Sequence, residues 1–143
     1  MGTGDDMVEF AQDLTISLEE DRPGALAGVF AIVARHNLNI EGYAFIEGLL
    51  HFLTRDVSAA RNALEGAGIR VRRQRKVLVV PGDNQVGKAA AILGRIAEIG
   101  VNIHFSYVAA GDRVVIGAER LEELADLQLD RAAWSAAVSA GAG

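Results

Sequence analysis

Residues 19–40 read EEDRPGALAGVFAIVARHNLNI, a charged turn that contains Pro23 and Gly24 and runs directly into an apolar segment. Proline and glycine both favour turns, each through its own backbone preference. After the turn, Leu26, Val29, Phe30 and Val33 recur at i, i+3, i+4 and i+7. This spacing predicts an amphipathic helix over about residues 25–36, which ends at asparagines set between aliphatic side chains.

The same pattern occurs a second time at residues 82–103, which read GDNQVGKAAAILGRIAEIGVNI. Gly24 and Gly87 are separated by 63 positions (87 − 24 = 63). Similar residues stand in register at this offset: Asp21 with Asn84, Val29 with Ile92, Val33 with Ile96, Asn39 with Asn102, and Ile40 with Ile103. The sequence therefore predicts one structural unit that is used twice.

Strands are predicted on both sides of each helix. Leu14, Ile16 and Leu18 alternate with polar residues, which is typical of a half-buried strand. In the first copy we predict strand 14–19, helix 25–36, strand 38–46, a turn at Glu47-Gly48, strand 49–54, helix 57–65 capped by Asp56, and a polar strand or extended connector at 69–76. In the second we predict an apolar strand at 77–80, helix 88–99, strand 101–108, a turn at Gly111-Asp112, strand 113–118 and helix 119–129. No element is assigned to the alanine-rich tail, where the role of Trp134 is unexplained.

Composition favours a soluble protein without nucleic-acid or membrane partners. Of 143 residues, 50% are hydrophobic and 23% charged, and the formal net charge is −5, which argues against a nucleic-acid partner. There is no cysteine, so disulfides and thiol chemistry are excluded. The first ten residues lack the features of a signal peptide, and no apolar run is long enough for a membrane span. We therefore expect a cytoplasmic protein.

The segment DRPGALAGVFAIVARHNLNI and its repeat DNQVGKAAAILGRIAEIGVNI resemble ACT domains. Together they resemble the small stand-alone proteins that consist of two tandem ACT domains. The resemblance implies an α+β fold of two ferredoxin-like βαββαβ units, each an antiparallel sheet with its helices on one face. We expect the domains at 13–75 and 76–131, with terminal segments at 1–12 and 132–143.

ACT domains bind small effectors, most often amino acids, between two domains, and they usually regulate an enzyme. A glycine at a helix start lets a ligand approach the backbone, and the free amides of the first turn suit a carboxylate. The resemblance implies these ligand-binding residues: Asp21, Gly24, Ala25, Leu26, Asn39 and Ile40 in the first copy, and Asn84, Gly87, Lys88, Ala89, Asn102 and Ile103 in the second. Each glycine turn would work with the asparagine and isoleucine of the other copy.

Alternative interpretations stay open for several of these features. The glycine turns can be simple connectors, and the asparagines simple caps or turns. Asp21 and Pro23 of the first copy correspond to Asn84 and Val86 of the second, so the two sites need not be equivalent. A small enzyme or binding protein that acts on an amino-acid-derived metabolite in the same cleft is the alternative function, although the sequence favours a protein without catalytic residues, metal or cofactor.

Three further expectations concern partners and surfaces. The histidines His36, His51 and His104 match no metal spacing, but with acidic residues they can form an acid–base site. The basic run at residues 70–76 is a solvated edge, a docking surface for an acidic protein, or a nucleic-acid contact. If Ile40 and Ile103 face the helices, the outward sheet face carries Tyr43, Phe45, His104 and Val108. That apolar face predicts a homodimer. The resemblance to ACT domains further implies a separate enzyme or regulator as the partner in regulation.

Overall fold

The computed structural model describes residues 8–18, 22–82 and 87–127. The chain divides into two compact units. We call residues 11–76 the first unit, and the described residues of 8–10 and 77–127 the second unit. The strands in chain order are β1 (Glu9–Ser17), β2 (Gly42–Ile46), β3 (Leu49–Leu53), β4 (Val71–Val80), β5 (Ile103–Ala109) and β6 (Arg113–Ala118). The helices are α1 (Ala25–Arg35), α2 (Val57–Gly66), α3 (Lys88–Glu98) and α4 (Leu121–Ala125).

The first unit is an antiparallel sheet with both of its helices packed on one face. β3 pairs antiparallel with β1 on one side and with β2 on the other. Because side chains alternate along a strand, one face carries Leu14, Ile16, Leu50 and Phe52, which are buried against α1 and α2. The opposite face carries Asp13 and Leu53, whose exposed fractions are 0% and 1%.

The second unit uses the same pattern with other strands. β6 pairs antiparallel with β4 through residues 78–80 and with β5 along its length. Leu78 and Ile116 lie in a core with the helical residues Ile92, Ile96 and Leu124. Val8 packs against this core, and Arg113 donates to Glu9 at 3.3 Å. Residues 8–10, expected in a terminal segment, therefore pack within the second unit.

The architecture belongs to the predicted α+β class, and most element types match the prediction. The helices α1 and α3 have related bounds at the repeat offset (25 + 63 = 88; 35 + 63 = 98). Asp56 caps α2 by accepting from the Ala59 amide at 3.2 Å, and residues 77–80 are fully buried as predicted. The turn at Glu47-Gly48 is confirmed, and both residues have positive φ, as a tight hairpin requires.

Several predicted bounds were wrong. β1 begins at Glu9 rather than at residue 14, and β2 begins at Gly42 rather than at residue 38. The polar run from Val71 onward and the apolar run at 77–80 form one strand of ten residues, β4, because charged side chains are compatible with an extended backbone where they reach solvent. The last helix, α4, covers only Leu121–Ala125 within the described residues.

The predicted outward face was also wrong. Tyr43 and Phe45 pair with Phe52 and Leu50, whose side chains are in the first core, so they lie on the helix face. The ring of Tyr43 meets that of Phe30 on α1 edge-on, with centroids 5.0 Å apart. Ile40 precedes the first paired residue of β2, so alternation does not extend from it to Tyr43.

In the second unit, a register shift between Ile103 and Phe105 breaks the alternation in the same way. Val108 consequently pairs with Val114, which packs against the helix-side core, and Val108 also lies on the helix face. His104 falls within this irregular part of β5 and is exposed. No helix in the described ranges has both the length and the apolar character needed to cross a membrane.

Candidate functional site

The turn before α1 has a left-handed backbone. Gly24 is the N-cap of α1 and has φ 91° and ψ −7°. At this φ any side chain would be strained, so the backbone conformation itself requires glycine. A Cβ at Gly24 would meet no atom within 4 Å, so the space over the turn is open.

The amides of this turn are only partly available to a ligand. The Ala25 amide donates to the Arg22 carbonyl at 3.2 Å, so the expectation that it is free was wrong. The amides of Gly24 and Leu26 have no acceptor in the described part of the chain. First-turn amides carry partial positive charge, so these two can donate to a carboxylate oxygen. The Leu26 side chain is half-buried against the first core.

Two cavities of the first unit meet at this turn. The larger has a volume of about 810 Å³ and extends from Gly24 along α1 to the connection between α2 and β4. The smaller, about 160 Å³, lies between the turn, Leu26 and Phe45. Both are lined by Leu18, Arg22, Gly24 and Ala25. The glycine turn therefore borders open space on both sides.

In the second unit, helix α3 also begins at a left-handed glycine. Gly87, the N-cap of α3, has φ 88° and ψ −15°, and its carbonyl accepts from the Ala91 amide at 3.0 Å. In the first unit the Gly24 carbonyl accepts from the Gly28 amide at 2.9 Å. Ala89 is exposed, and Lys88 is the first residue of α3. The two N-cap glycines thus share the same left-handed conformation.

In both units the asparagine is exposed and the isoleucine that follows it packs against the core. Asn39 and Asn102 are exposed, whereas Ile40 and Ile103 are half-buried against the first and second cores. The Asn39 carbonyl accepts from the Thr54 hydroxyl at 2.8 Å, so one of its lone pairs is already used. The backbone amide of Asn102 donates to the Glu119 carboxylate at 3.5 Å. Asp21 and Asn84 lie outside the described residues.

A polar cluster on the first unit's sheet was not predicted from sequence. The Thr15 hydroxyl donates to Asp13 at 2.9 Å, and His51 Nδ1 lies 3.1 Å from the same carboxylate oxygen. Thr15 and His51 are directly opposite each other on β1 and β3, and Asp13 is two residues before Thr15. Once the strand register is known, period-two alternation places all three on one face.

The geometry of this cluster does not form a nucleophilic triad. Thr15 Oγ1 is 3.2 Å from His51 Nδ1, the same ring nitrogen that faces Asp13. In such a triad the hydroxyl and the carboxylate bind opposite nitrogens of the imidazole, so that a proton can pass through the ring. The arrangement of these side chains instead satisfies a buried carboxylate. The expected acid–base use of His51 gains no support from it.

Comparison with known proteins gives structural matches only, since no family model and no curated protein sequence matches the chain. The protein BT0572 from Bacteroides thetaiotaomicron is similar with a TM-score of 0.69 and 23% identity, over 85% of this chain and 87% of that one. The regulatory subunit of aspartate kinase from Thermus thermophilus has a TM-score of 0.64 and 21% identity, over 91% and 94%. The corresponding subunit from Thermus flavus has 0.62 and 18%, over 95% of both chains. The shared feature is an ACT-like fold.

Proposed function

We propose that the chain is a regulatory protein of two tandem ferredoxin-like ACT units, which binds an amino acid or similar small carboxylate and modulates a separate enzyme or regulator. The observation that carries this proposal is the left-handed glycine turn that opens first-turn amides beside two cavities. Its recurrence at Gly87 with the same left-handed conformation supports two related sites.

The similar structures support the same class of function. They include regulatory subunits of aspartate kinase that span nearly the whole of this chain. A less similar match, aspartokinase III of E. coli, is a complex with lysine and aspartate in which this chain covers 30% of the longer enzyme. By analogy, the ligand here is an amino acid, and the regulated enzyme is a separate chain.

The ligand contacts follow from the chemistry of an amino acid. Its carboxylate would accept from the amides of Gly24 and Leu26, or from the first turn of α3 at Gly87, Lys88 and Ala89. Its ammonium group would donate to carbonyl or side-chain oxygens of Asn39 or Asn102 beside Ile40 and Ile103. Asp21 and Asn84 would set the difference in charge between the two sites.

A thermal-shift screen with free amino acids tests this function. A ligand that binds only the folded state raises the unfolding midpoint, and the hit is then titrated by calorimetry. Gly24→Val and Gly87→Val should each abolish one site, and Asn39→Ala and Asn102→Ala should weaken binding by about 1–3 kcal/mol.

Gly111→Val is the matched control for backbone strain. Gly111 also has positive φ, 74°, and a Cβ there would meet no atom within 4 Å. This variant should lose similar stability but keep full binding. If no amino acid shifts the midpoint, or if both turn variants bind with the parent's affinity and stoichiometry, the proposed site is wrong. Mass spectrometry of the same mixtures would reveal turnover, as the enzyme alternative requires.

A further inference from the structure

The larger cavity of the first unit has a lining that an amino acid does not require. Among its described lining residues, three are arginines, Arg22, Arg70 and Arg72, and none is acidic. This concentration of positive charge occurs in a chain with a net charge of −5. Its volume, about 810 Å³, falls in the ordinary range for sites that hold an organic ligand.

Arg70 and Arg72 differ from most arginines of the structure in their partners. Arg55 donates to Glu41 at 2.9 Å, Arg61 to Glu65 at 2.7 Å, and Arg113 to Glu9 at 3.3 Å. Within the described ranges, neither Arg70 nor Arg72 has an ion pair or hydrogen bond. Their guanidinium groups can therefore bind an anion without first breaking a contact to any described residue.

The remainder of the lining is small or apolar. Part of the lining has no side chain beyond a methyl group: Gly24, Ala25, Gly28, Ala67 and Gly68. The apolar surface of the cavity comes from Leu18, Val29, Ile32 and Ile69. A Cβ at Gly28 would meet nothing within 4 Å, so the absence of a side chain there leaves room along α1. Such a groove is suited to a ligand with an apolar or planar body and acidic groups at one end.

We propose that this groove binds a small organic anion with at least two acidic groups, such as a nucleotide or a polycarboxylate. The arginines Arg70 and Arg72 hold the acidic groups, and the first turn of α1 contributes the amides of Gly24 and Leu26. The body of the ligand lies against α1 at Gly28 and Ile32. This site gives the first unit a sensitivity to anionic metabolites that the amino-acid site does not explain.

ADP and citrate are the probes, because they share multiple negative charges and differ in source, one through phosphates and the other through carboxylates. Calorimetric titration of the full chain should detect binding of at least one, and inorganic phosphate gives the minimal comparison. The double variant Arg70→Gln, Arg72→Gln should weaken binding by about 10- to 100-fold, since each loses a charge-assisted hydrogen bond.

Two matched controls make the result specific. Arg73→Gln removes one positive charge, as each of the two substitutions does, but from an exposed arginine of β4 that does not line the cavity, so binding should be unchanged. Gly28→Leu should block the groove, whereas Gly94→Leu, at a helical glycine of α3 that also has open space, should not. Circular dichroism verifies that all variants are folded.

The outcomes decide between the groove and general electrostatics. Binding that Arg70→Gln, Arg72→Gln and Gly28→Leu reduce, while both controls keep it, supports the site for whichever probe binds. Failure of ADP and citrate to bind at millimolar concentration overturns it, as does an equal loss in Arg73→Gln. Neither probe carries an α-amino-acid group as its recognition element, so the amino-acid screen can fail while this proposal holds, and the reverse.

Discussion

Gly117 shows how one missing side chain shapes the second unit. It lies in β6 directly opposite Phe105 of β5, and a Cβ at Gly117 would be 2.3 Å from two atoms of the phenyl ring. Phe105 in turn stacks on Tyr107, with centroids 6.1 Å apart and ring planes inclined by 11°. The glycine therefore makes room for an aromatic pair on this face of the sheet.

Gly117→Ala should destabilise the protein by about 1–3 kcal/mol, because the added methyl group displaces a packed ring. The measurement is the free energy of unfolding in urea. Gly66→Ala is the control, because it also adds one methyl group, but at a helical site with open space. It should raise the free energy of unfolding by up to about 1 kcal/mol. Equal effects of the two substitutions would contradict the packing argument.

Sequence reasoning could identify the glycine turns but not why they need glycine. Gly24 and Gly87 stood out through their repetition, and the structure shows positive φ at both. The local sequence does not reveal φ, because a connector with ordinary dihedrals would have the same residues. Likewise, the contact of Asp13 with His51 depends on strand register, which joins residues 38 positions apart (51 − 13 = 38).

At the scale of elements, helices were predicted better than strands. The apolar stripe of α1 recurs at every turn, so the helix bounds follow from the pattern itself. The faces of a strand are harder to predict, because one irregular residue moves every later side chain to the other face. The alternation is interrupted at the start of β2 and at the register shift in β5. The prediction therefore assigned Tyr43, Phe45 and Val108 to the outward face, whereas they lie on the helix face.

The cap of α2 allows a test of element stability. Asp56 Oδ1 accepts from the Ala59 amide, and no other described side chain caps the start of a helix in this way. Asp56→Ala should cost about 1 kcal/mol, whereas Asp56→Asn should cost much less because asparagine caps nearly as well. Urea unfolding of both variants measures the difference. A loss in Asp56→Asn as large as that in Asp56→Ala would show that charge, rather than the cap, is responsible.

At the scale of the whole molecule, an uncovered apolar surface supports the homodimer as a prediction on new grounds. Tyr43 and Phe45 are 51% and 39% exposed despite lying on the helix face. Beside them, the outer side of α1 presents Ala27, Ala31 and Ala34, whereas the outer side of α2 presents Ser58, Asn62 and Glu65. A helix that is apolar on its outer side is expected to be covered.

Sedimentation of the full chain at tens of micromolar should therefore show a dimer. Ala31→Glu should shift the population to monomer, since it places a charge within the apolar surface. Asn62→Glu adds the same charge to the polar side of α2 and should leave the dimer intact. A parent protein that sediments as a monomer would refute the prediction directly.

The repeat offset predicted the matching bounds of α1 and α3, but not the larger cavity with its arginines. Gly24 and Arg70 are 46 positions apart (70 − 24 = 46), and the second copy has no matching arginines in register. Gly24 and Arg70 line the same cavity only because of where α2 ends and β4 begins, which the fold determines. Periodicity identifies what the two copies share, whereas the distinguishing chemistry of one copy comes from residues outside the repeated pattern.

Val8 and Glu9 can make their contacts with the second unit only late in the synthesis of the chain. These residues are synthesised before the entire first unit, yet their contacts with the second core and with Arg113 must wait until residues 77–127 emerge. The first unit, by contrast, is continuous in sequence and can fold while synthesis proceeds. The first unit is thus an insertion within the second, and removing Val8 and Glu9 would destabilise the second unit, most of which is made after the first.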